Sequence, residues 1–259
     1  AWKNAIESHE IDELTKVDGH GILVGQVGLS TDLVPYYGPY VLYDENTGAK
    51  KWEYQRAKPF SNNYSIISTS PVILFSTNSN KAVTYSAVDP ATGQELWSYK
   101  FSLNQTATLD PLLQLLIVAE DVKGILSYKA IKLTTGEEQW KASDQKKDSG
   151  DNILPQLVVC KNLLISINKD IVCRELIDGK INWSLPDAGP LPSTSLPLRL
   201  TDSIVIPNNN RKLFRIGFNG EILWQTAFDR EIGVLTADEN RIYIQTIANG
   251  QPNQVHCLK

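Results

Sequence analysis

Cysteine and histidine are scarce in this chain of 259 residues, which carries three of each. Cys160, Cys173 and Cys257 are odd in number and show no CxxC spacing, which argues against a disulfide framework or a structural zinc site. Cys160 and Cys173 fall near strands of one repeat and can pair if their Cα atoms come within about 7 Å. The other reading of these two is as small buried hydrophobes. His9, His20 and His256 have no metal-ligand spacing and read as surface or hydrogen-bonded side chains. A GxSxG nucleophile elbow is also missing. No apolar run approaches the roughly 18 residues of a membrane helix. Leu112 to Ala119 comes nearest, is broken by Gln114, and reads as a buried middle strand. Nor is there an excess of positive charge: 25 basic residues against 29 acidic ones leave a net −4, which argues against nucleic acid as the main partner. The one basic run, Lys141 to Lys147 with Asp144 inside it, reads as a solvated loop.

Against these absences stands one strong regularity. Trp52, Trp97, Trp140, Trp183 and Trp224 each lie four residues after a glycine, namely Gly48, Gly93, Gly136, Gly179 and Gly220, at steps of 45, 43, 43 and 41 residues. A period of about 40 to 45 residues is the length of one four-stranded propeller blade. The fullest copy reads Ala87-Val88-Asp89-Pro90-Ala91-Thr92-Gly93-Gln94-Glu95-Leu96-Trp97, and the first copy keeps Asp44, Thr47, Gly48 and Trp52. Asp and Thr before Gly make a tight turn, with Gly supplying a positive φ. The chain then returns as an outer strand whose indole can lie flat on the neighbouring blade. Later copies put Lys132 in place of the Asp, and Asp178 and Asn219 in place of the Thr, while the glycine and tryptophan persist.

This motif resembles the tryptophan-docking repeat AxDxxTGxxxW of the pyrroloquinoline-quinone (PQQ) type β-propellers. The resemblance and the period together predict an all-β, WD40-like fold: one domain over 1–259, a six-bladed propeller of four-stranded antiparallel blades. The chain end, Val255 to Lys259, aligns with Tyr85 to Asp89, so the next docking tryptophan falls just past the C-terminus. Trp2 can fill that place, closing the last blade with an N-terminal outer strand and leaving no free sheet edge. Middle strands are expected near Ile22–Gly28, Val72–Thr77, Leu113–Ala119, Leu163–Asn168, Ser203–Ile206 and Arg241–Ile247.

Family members that hold the quinone resemble eight-bladed rings of about twice this length, with a vicinal Cys-Cys disulfide, a calcium held by Glu and Asn, and an Asp base. No Cys-Cys pair occurs here. The expectation is therefore no cofactor, no metal, and a protein-protein interaction scaffold working through one loop face as a monomeric domain. The alternative is a channel-centred enzyme of hydrolase, lyase or cyclase type, or a small-ligand-binding propeller, because carboxylates converging from several blades leave no linear signature. The Gly–Trp turns mark one face. On the opposite face fall the loops Arg56–Tyr64, Phe101–Thr106, Ala142–Asn152, Pro186–Ser195 and Phe228–Ile232, with hairpin tips at Asn78–Asn80, Asn208–Asn210 and Asn249–Asn253. One tip on that face, Leu33 to Tyr40, is apolar and aromatic where the others are polar. Tyr36, Tyr37 and Tyr40, with Phe60 nearby, are the expected partner-binding residues, unless the tip folds over and buries its own rings. No secretory signal is visible, and the chain start and thin cysteine usage point to the cytoplasm, whereas the resemblance points to the periplasm or outside the cell.

Overall fold

Runs of aliphatic and β-branched residues, broken every five to nine positions by Asp, Asn and Gly turns, build strands and hairpins. The computed structural model describes residues 10–29, 35–54, 63–68, 70–79, 81–145, 154–186, 188, 195–209, 211–238, 241–248 and 250–258. Among them the regular elements are all strands, arranged in six antiparallel sheets. Sheet 1 holds β1 (Glu10–Val17), β2 (Gly21–Leu29), β3 (Pro35–Tyr43) and β4 (Lys50–Tyr54). Sheet 2 holds β5 (Asn63–Ser68), β6 (Ile73–Ser79), β7 (Ala82–Val88) and β8 (Glu95–Phe101). Sheet 3 holds β9 (Gln105–Asp110), β10 (Leu115–Val122), β11 (Ile125–Lys132) and β12 (Glu138–Gln145). Sheet 4 holds β13 (Gln156–Cys160), β14 (Leu163–Ile167), β15 (Ile171–Glu175) and β16 (Ile181–Leu185). Sheet 5 holds β17 (Leu198–Arg199), β18 (Ser203–Pro207), β19 (Lys212–Gly217) and β20 (Ile222–Ala227). Sheet 6 has three strands, β21 (Glu231–Ala237), β22 (Ile242–Ile247) and β23 (Gln254–Leu258).

By Cα packing the chain divides into two compact units. One comprises 1–105, 109–121 and 130–139, the other 106–108, 122–129 and 140–259. In the first, sheets 1 and 2 enclose Leu23, Leu42, Trp52, Ile73 and Phe75, where the Phe75 ring packs 4.7 Å from Tyr40 and 5.2 Å from Tyr54. In the second, sheets 4 and 5 enclose Ile165, Cys173, Ile204 and Ile216, and sheets 5 and 6 enclose Val205, Leu213, Ile232 and Ile244. The core is thus divided among neighbouring sheets. The second strands of sheets 4 and 5 are covered on both faces, so β14 and β18 are buried at every position and read as unbroken apolar runs. Outer strands such as β8 and β16 alternate towards solvent.

Two expected boundaries move. The middle strand of sheet 3 begins at Leu115, because Asp110 turns the chain before it, accepting the Leu112 N–H at 3.2 Å and the Leu113 N–H at 2.9 Å. Leu112 and Leu113 are exposed in that turn, and Gln114 closes it at φ 54°. The aromatic stretch read as a hairpin tip belongs instead to β3: Tyr36 pairs with Gly28, Tyr37 with Val27 and Tyr40 with Gly25. A register shift between Gly25 and Val27 lets the long strand stay paired past Gly38 and Pro39, which signal a loop when read alone. The basic run is likewise partly strand, since Lys141 to Asp144 lie in β12.

Candidate functional site

The repeated turn is built from the side chain outward. Asp44 accepts the N–H groups of Asn46 and Thr47 and the Thr47 hydroxyl, at 2.9 to 3.0 Å, while the Gly48 N–H reaches the Asp44 carbonyl at 2.9 Å. The Thr47 N–H above all, then the Lys51 ammonium, the Thr47 hydroxyl and the Asn46 N–H, hold the Asp44 carboxyl down at about 2. The residue before each glycine offers a side-chain oxygen to the N–H two positions on: Thr47 to Ala49, Thr92 to Gln94, Thr135 to Glu137, Asp178 to Lys180 and Asn219 to Glu221, at 3.1 to 3.4 Å. The Thr, Asp and Asn variants therefore do the same job. In the first four turns the glycine N–H bonds the carbonyl four residues back; at Gly220 it bonds Gly217, three back, so the fifth turn is one residue tighter.

Four of these glycines serve the preceding sheet. A Cβ on Gly93 would lie 2.6 Å from the Trp52 indole, one on Gly136 2.5 Å from Trp97, one on Gly179 2.6 Å from Trp140, and one on Gly220 2.6 Å from Trp183. The indole N–H groups complete the contact, donating to the carbonyls of Pro90, Leu133, Leu176 and Phe218 at 2.6 to 3.0 Å. Buried Trp commonly satisfies its N–H in this way. Trp224 is half-buried against the cluster between sheets 5 and 6, and Trp2 lies outside the described residues.

At the other ends of sheets 5 and 6, two expected rim segments, Phe228–Ile232 and Asn249–Asn253, meet Arg211, the residue after a third, around a cleft of about 480 Å³ lined by Arg211, Asp229, Arg230, Glu231, Ile247 and Asn253 among others. Arg211, at φ 59° in the β18–β19 turn, donates to the Asp229 carbonyl at 2.7 Å, and its own carbonyl accepts the Phe228 N–H at 2.9 Å. Arg230 donates to the Pro252 carbonyl and to Gln251 Oε1, both at 2.7 Å. Asn208, 3 % exposed, holds the turn from within, accepting the Lys212 N–H at 3.0 Å and donating to the Ala188 carbonyl at 2.8 Å. The rim is therefore fixed by guanidinium-to-carbonyl bonds.

The family model described as outer membrane protein assembly factor BamB matches residues 2–185. The chain belongs to this PQQ-like propeller family. Among solved structures it is similar to BamB from Moraxella catarrhalis, at 17% identity over 92% of this chain and 94% of that one, with a TM-score of 0.42. Sqt1 of Saccharomyces cerevisiae aligns over 96% of this chain and 72% of its own, at 13% identity and a TM-score of 0.56. A quinohemoprotein alcohol dehydrogenase from Pseudomonas putida HK5 aligns over 82% of this chain and 49% of its own, at 13% identity and a TM-score of 0.50. At such identities the likeness is one of fold alone. No curated protein sequence matches the chain.

Within this BamB-family chain, the aromatic partner candidates separate. Tyr40 is 5 % exposed, packs on Phe75 and donates to Glu13 Oε2 at 3.3 Å, so it is a core residue and not a rim residue. Its place opposite Gly25 explains this: a Cβ there would sit 2.8 Å from the Tyr40 ring, so the glycine makes the slot that the ring fills. Tyr36 and Tyr37 occupy strand positions in β3, and Phe60 lies outside the described residues.

A buried polar group was not legible in sequence. Arg174, 3 % exposed, ion-pairs with Asp144, donates to the Gly179 carbonyl at 3.0 Å, and lies 4.9 Å from the Tyr128 ring centroid. The Tyr128 hydroxyl, 2.7 Å from Ser166 Oγ, is raised by burial. Asp144 thus anchors β12 inward, contrary to the solvated-loop reading. Cys160 and Cys173 are buried and free; burial first, then the Glu175 carboxylate, pushes the Cys173 thiol up to about 12. Cys257, by contrast, is exposed. His256 lies within hydrogen-bonding reach of Thr246 Oγ1 (3.0 Å) and is edge-on to Phe228. Among the described residues, no cluster of three or more His, Cys, Asp or Glu side chains is placed to hold a metal ion, and no helix is long and apolar enough to cross a membrane.

Proposed function

We propose that this chain is a non-catalytic protein-protein interaction scaffold that engages its partner through the loop face opposite the Gly–Trp turns. The observation that carries the reading is the prearranged rim of sheets 5 and 6. Arg211 and Arg230 are tied to carbonyls of neighbouring loops, so little ordering entropy is lost when a partner docks. The family description, that of an assembly factor, supports the same kind of work. Tyr36, Tyr37 and Phe60 are proposed to contribute to the same partner site. In the same reading the six sheets are blades of one closed ring over 1–259, with residues 1–7 supplying the fourth strand of sheet 6 and Trp2 closing that blade.

The test is affinity capture from lysate of the source organism with wild type, Arg230→Ala and Tyr36→Ala/Tyr37→Ala, each checked for folding by circular dichroism. A stoichiometric protein lost in the folded rim variants is the expected result. A partner retained by both variants would overturn the loop-face assignment. Deleting residues 1–7 should lower the melting temperature by several degrees; an unchanged melting temperature would overturn the closure.

A further inference from the structure

The Gly–Trp ends of sheets 4, 5 and 6 carry a larger cleft, of about 890 Å³, in which charge is sorted differently from the acidic chain as a whole. Three hairpins distant in sequence build it. Lys161 comes from the β13–β14 turn, Arg199 and Asp202 flank the β17–β18 turn, and Asp238 and Arg241 flank the β21–β22 turn; Arg215 joins from β19. Four cations thus face two carboxylates.

Both carboxylates are already engaged. Asp202 accepts the Ser203 hydroxyl at 2.8 Å and Arg215 Nη2 at 3.2 Å, and these two bonds, the Ser203 one first, hold its carboxyl below the usual range. Asp238 accepts the Tyr243 hydroxyl and the Arg241 N–H, each at 2.8 Å. Lys161 and Arg199 have no carboxylate partner among the described residues. The Lys161 ammonium rests 4.9 Å from the Phe218 ring centroid, and Arg199 Nη1 reaches only the Val159 carbonyl, at 3.4 Å. Val159 lies two residues before Lys161, so the Arg199 guanidinium stands beside the β13–β14 turn that carries the lysine. Leu198, Leu200, Ala237 and Ile242 line the same space between the charges.

We propose that this cleft is a second docking site, which takes an extended protein segment in which Asp or Glu alternates with aliphatic residues. Such a segment turns successive side chains to opposite sides, so carboxylates can meet Lys161 and Arg199 while aliphatic groups cover the partly exposed Leu198, Leu200 and Ala237. Free phosphate would leave the apolar lining uncovered, and the cleft's size falls in the roughly 300–1,000 Å³ range of sites that enclose a ligand. The net negative charge of the chain opposes nucleic acid. This site lies at the opposite sheet ends from the loop face, so it stands or falls independently of the partner proposed there.

The probe is a fluorescein-labelled eight-residue peptide of alternating Glu and Leu, with a Gln–Leu counterpart, titrated by fluorescence anisotropy against the full chain. Binding of the Glu peptide should weaken at least tenfold in Lys161→Ala/Arg199→Ala, weaken with added salt, and be unchanged in Arg230→Ala. Arg199→Glu alone, at an exposed position, gives a second variant that should also lose the peptide. Equal binding of the Gln peptide, retention by both folded variants, displacement by millimolar inorganic phosphate, or capture of anionic vesicles in place of the peptide would each overturn the proposal.

Discussion

Replacing Trp97 by alanine tests the docking geometry at one junction. The side chain is 9 % exposed, its indole N–H donates to the Leu133 carbonyl at 2.7 Å, and its ring meets Gly136 so closely that a Cβ there would lie 2.5 Å away. Burial of an indole removes up to about 250 Å² from water, about 6 kcal/mol as an upper bound. Truncation of a buried Trp to Ala costs about 3–5 kcal/mol, and a carbonyl left without its donor adds about 1–3 kcal/mol where water does not reach it. Trp97→Ala should therefore destabilise by at least about 4 kcal/mol. Trp97→Phe, which keeps most of the area and loses only the donor, should cost about 1–2 kcal/mol. Urea unfolding followed by far-ultraviolet circular dichroism reads both as midpoint shifts at constant slope. The partner arm is Gly136→Ala, whose methyl collides with the ring and is strained at φ 73°, yet fits the space that Trp97→Ala vacates. The double variant should then lose less than the sum of the singles by about 0.5–3 kcal/mol. A loss within ±0.5 kcal/mol for Trp97→Ala, or strict additivity with Gly136→Ala, would refute the reasoning.

Asp144→Ala should cost about 3 kcal/mol by leaving the buried Arg174 charge without its partner, and adding Arg174→Met to the same chain should restore most of that in urea unfolding. The Asp44 carboxyl is held at about 2 against an ordinary value of 3.8, so its contribution is fully present above about pH 4 and fades as pH falls towards 2. Asp44→Asn should flatten acid unfolding over that window, and carboxyl chemical-shift titration should place Asp44 near 2. Thiol labelling at neutral pH should modify Cys257 rapidly and Cys160 and Cys173 only after unfolding in urea; fast labelling of three cysteines in the native protein would contradict their burial.

What could be read from the sequence was whatever repeats. The Gly–Trp spacing marks turns and outer strands because one side chain and one missing side chain meet at four junctions, and middle strands such as β14 and β18 announce themselves as apolar runs because both of their faces are covered. What failed was local punctuation: Gly38 and Pro39 signal a loop, yet the backbone around them pairs with β2, and Tyr40 turns into a slot over Gly25 that no composition argument shows. Asp144 looked solvated because its cation, Arg174, lies 30 residues on in another sheet. The basic cleft was illegible for a similar reason, since Lys161, Arg199, Arg215 and Arg241 are single charges scattered over four hairpin positions.

The docking contact has a direction, and that direction shapes how such a chain can change. Trp52, Trp97, Trp140 and Trp183 each press on the glycine of the following repeat. Residues that serve only their own turn drift freely among oxygen-bearing types, as Thr47, Asp178 and Asn219 do. A tryptophan or glycine is bound to a neighbour's sequence, so a tolerated change in one should be answered one repeat away. Among related chains, substitutions should therefore be correlated between Trp52 and Gly93, Trp97 and Gly136, Trp140 and Gly179, and Trp183 and Gly220, rather than within any single repeat. The heritable module in this protein is accordingly offset from the visible motif: it runs from the glycine of one turn to the tryptophan of the sheet before it.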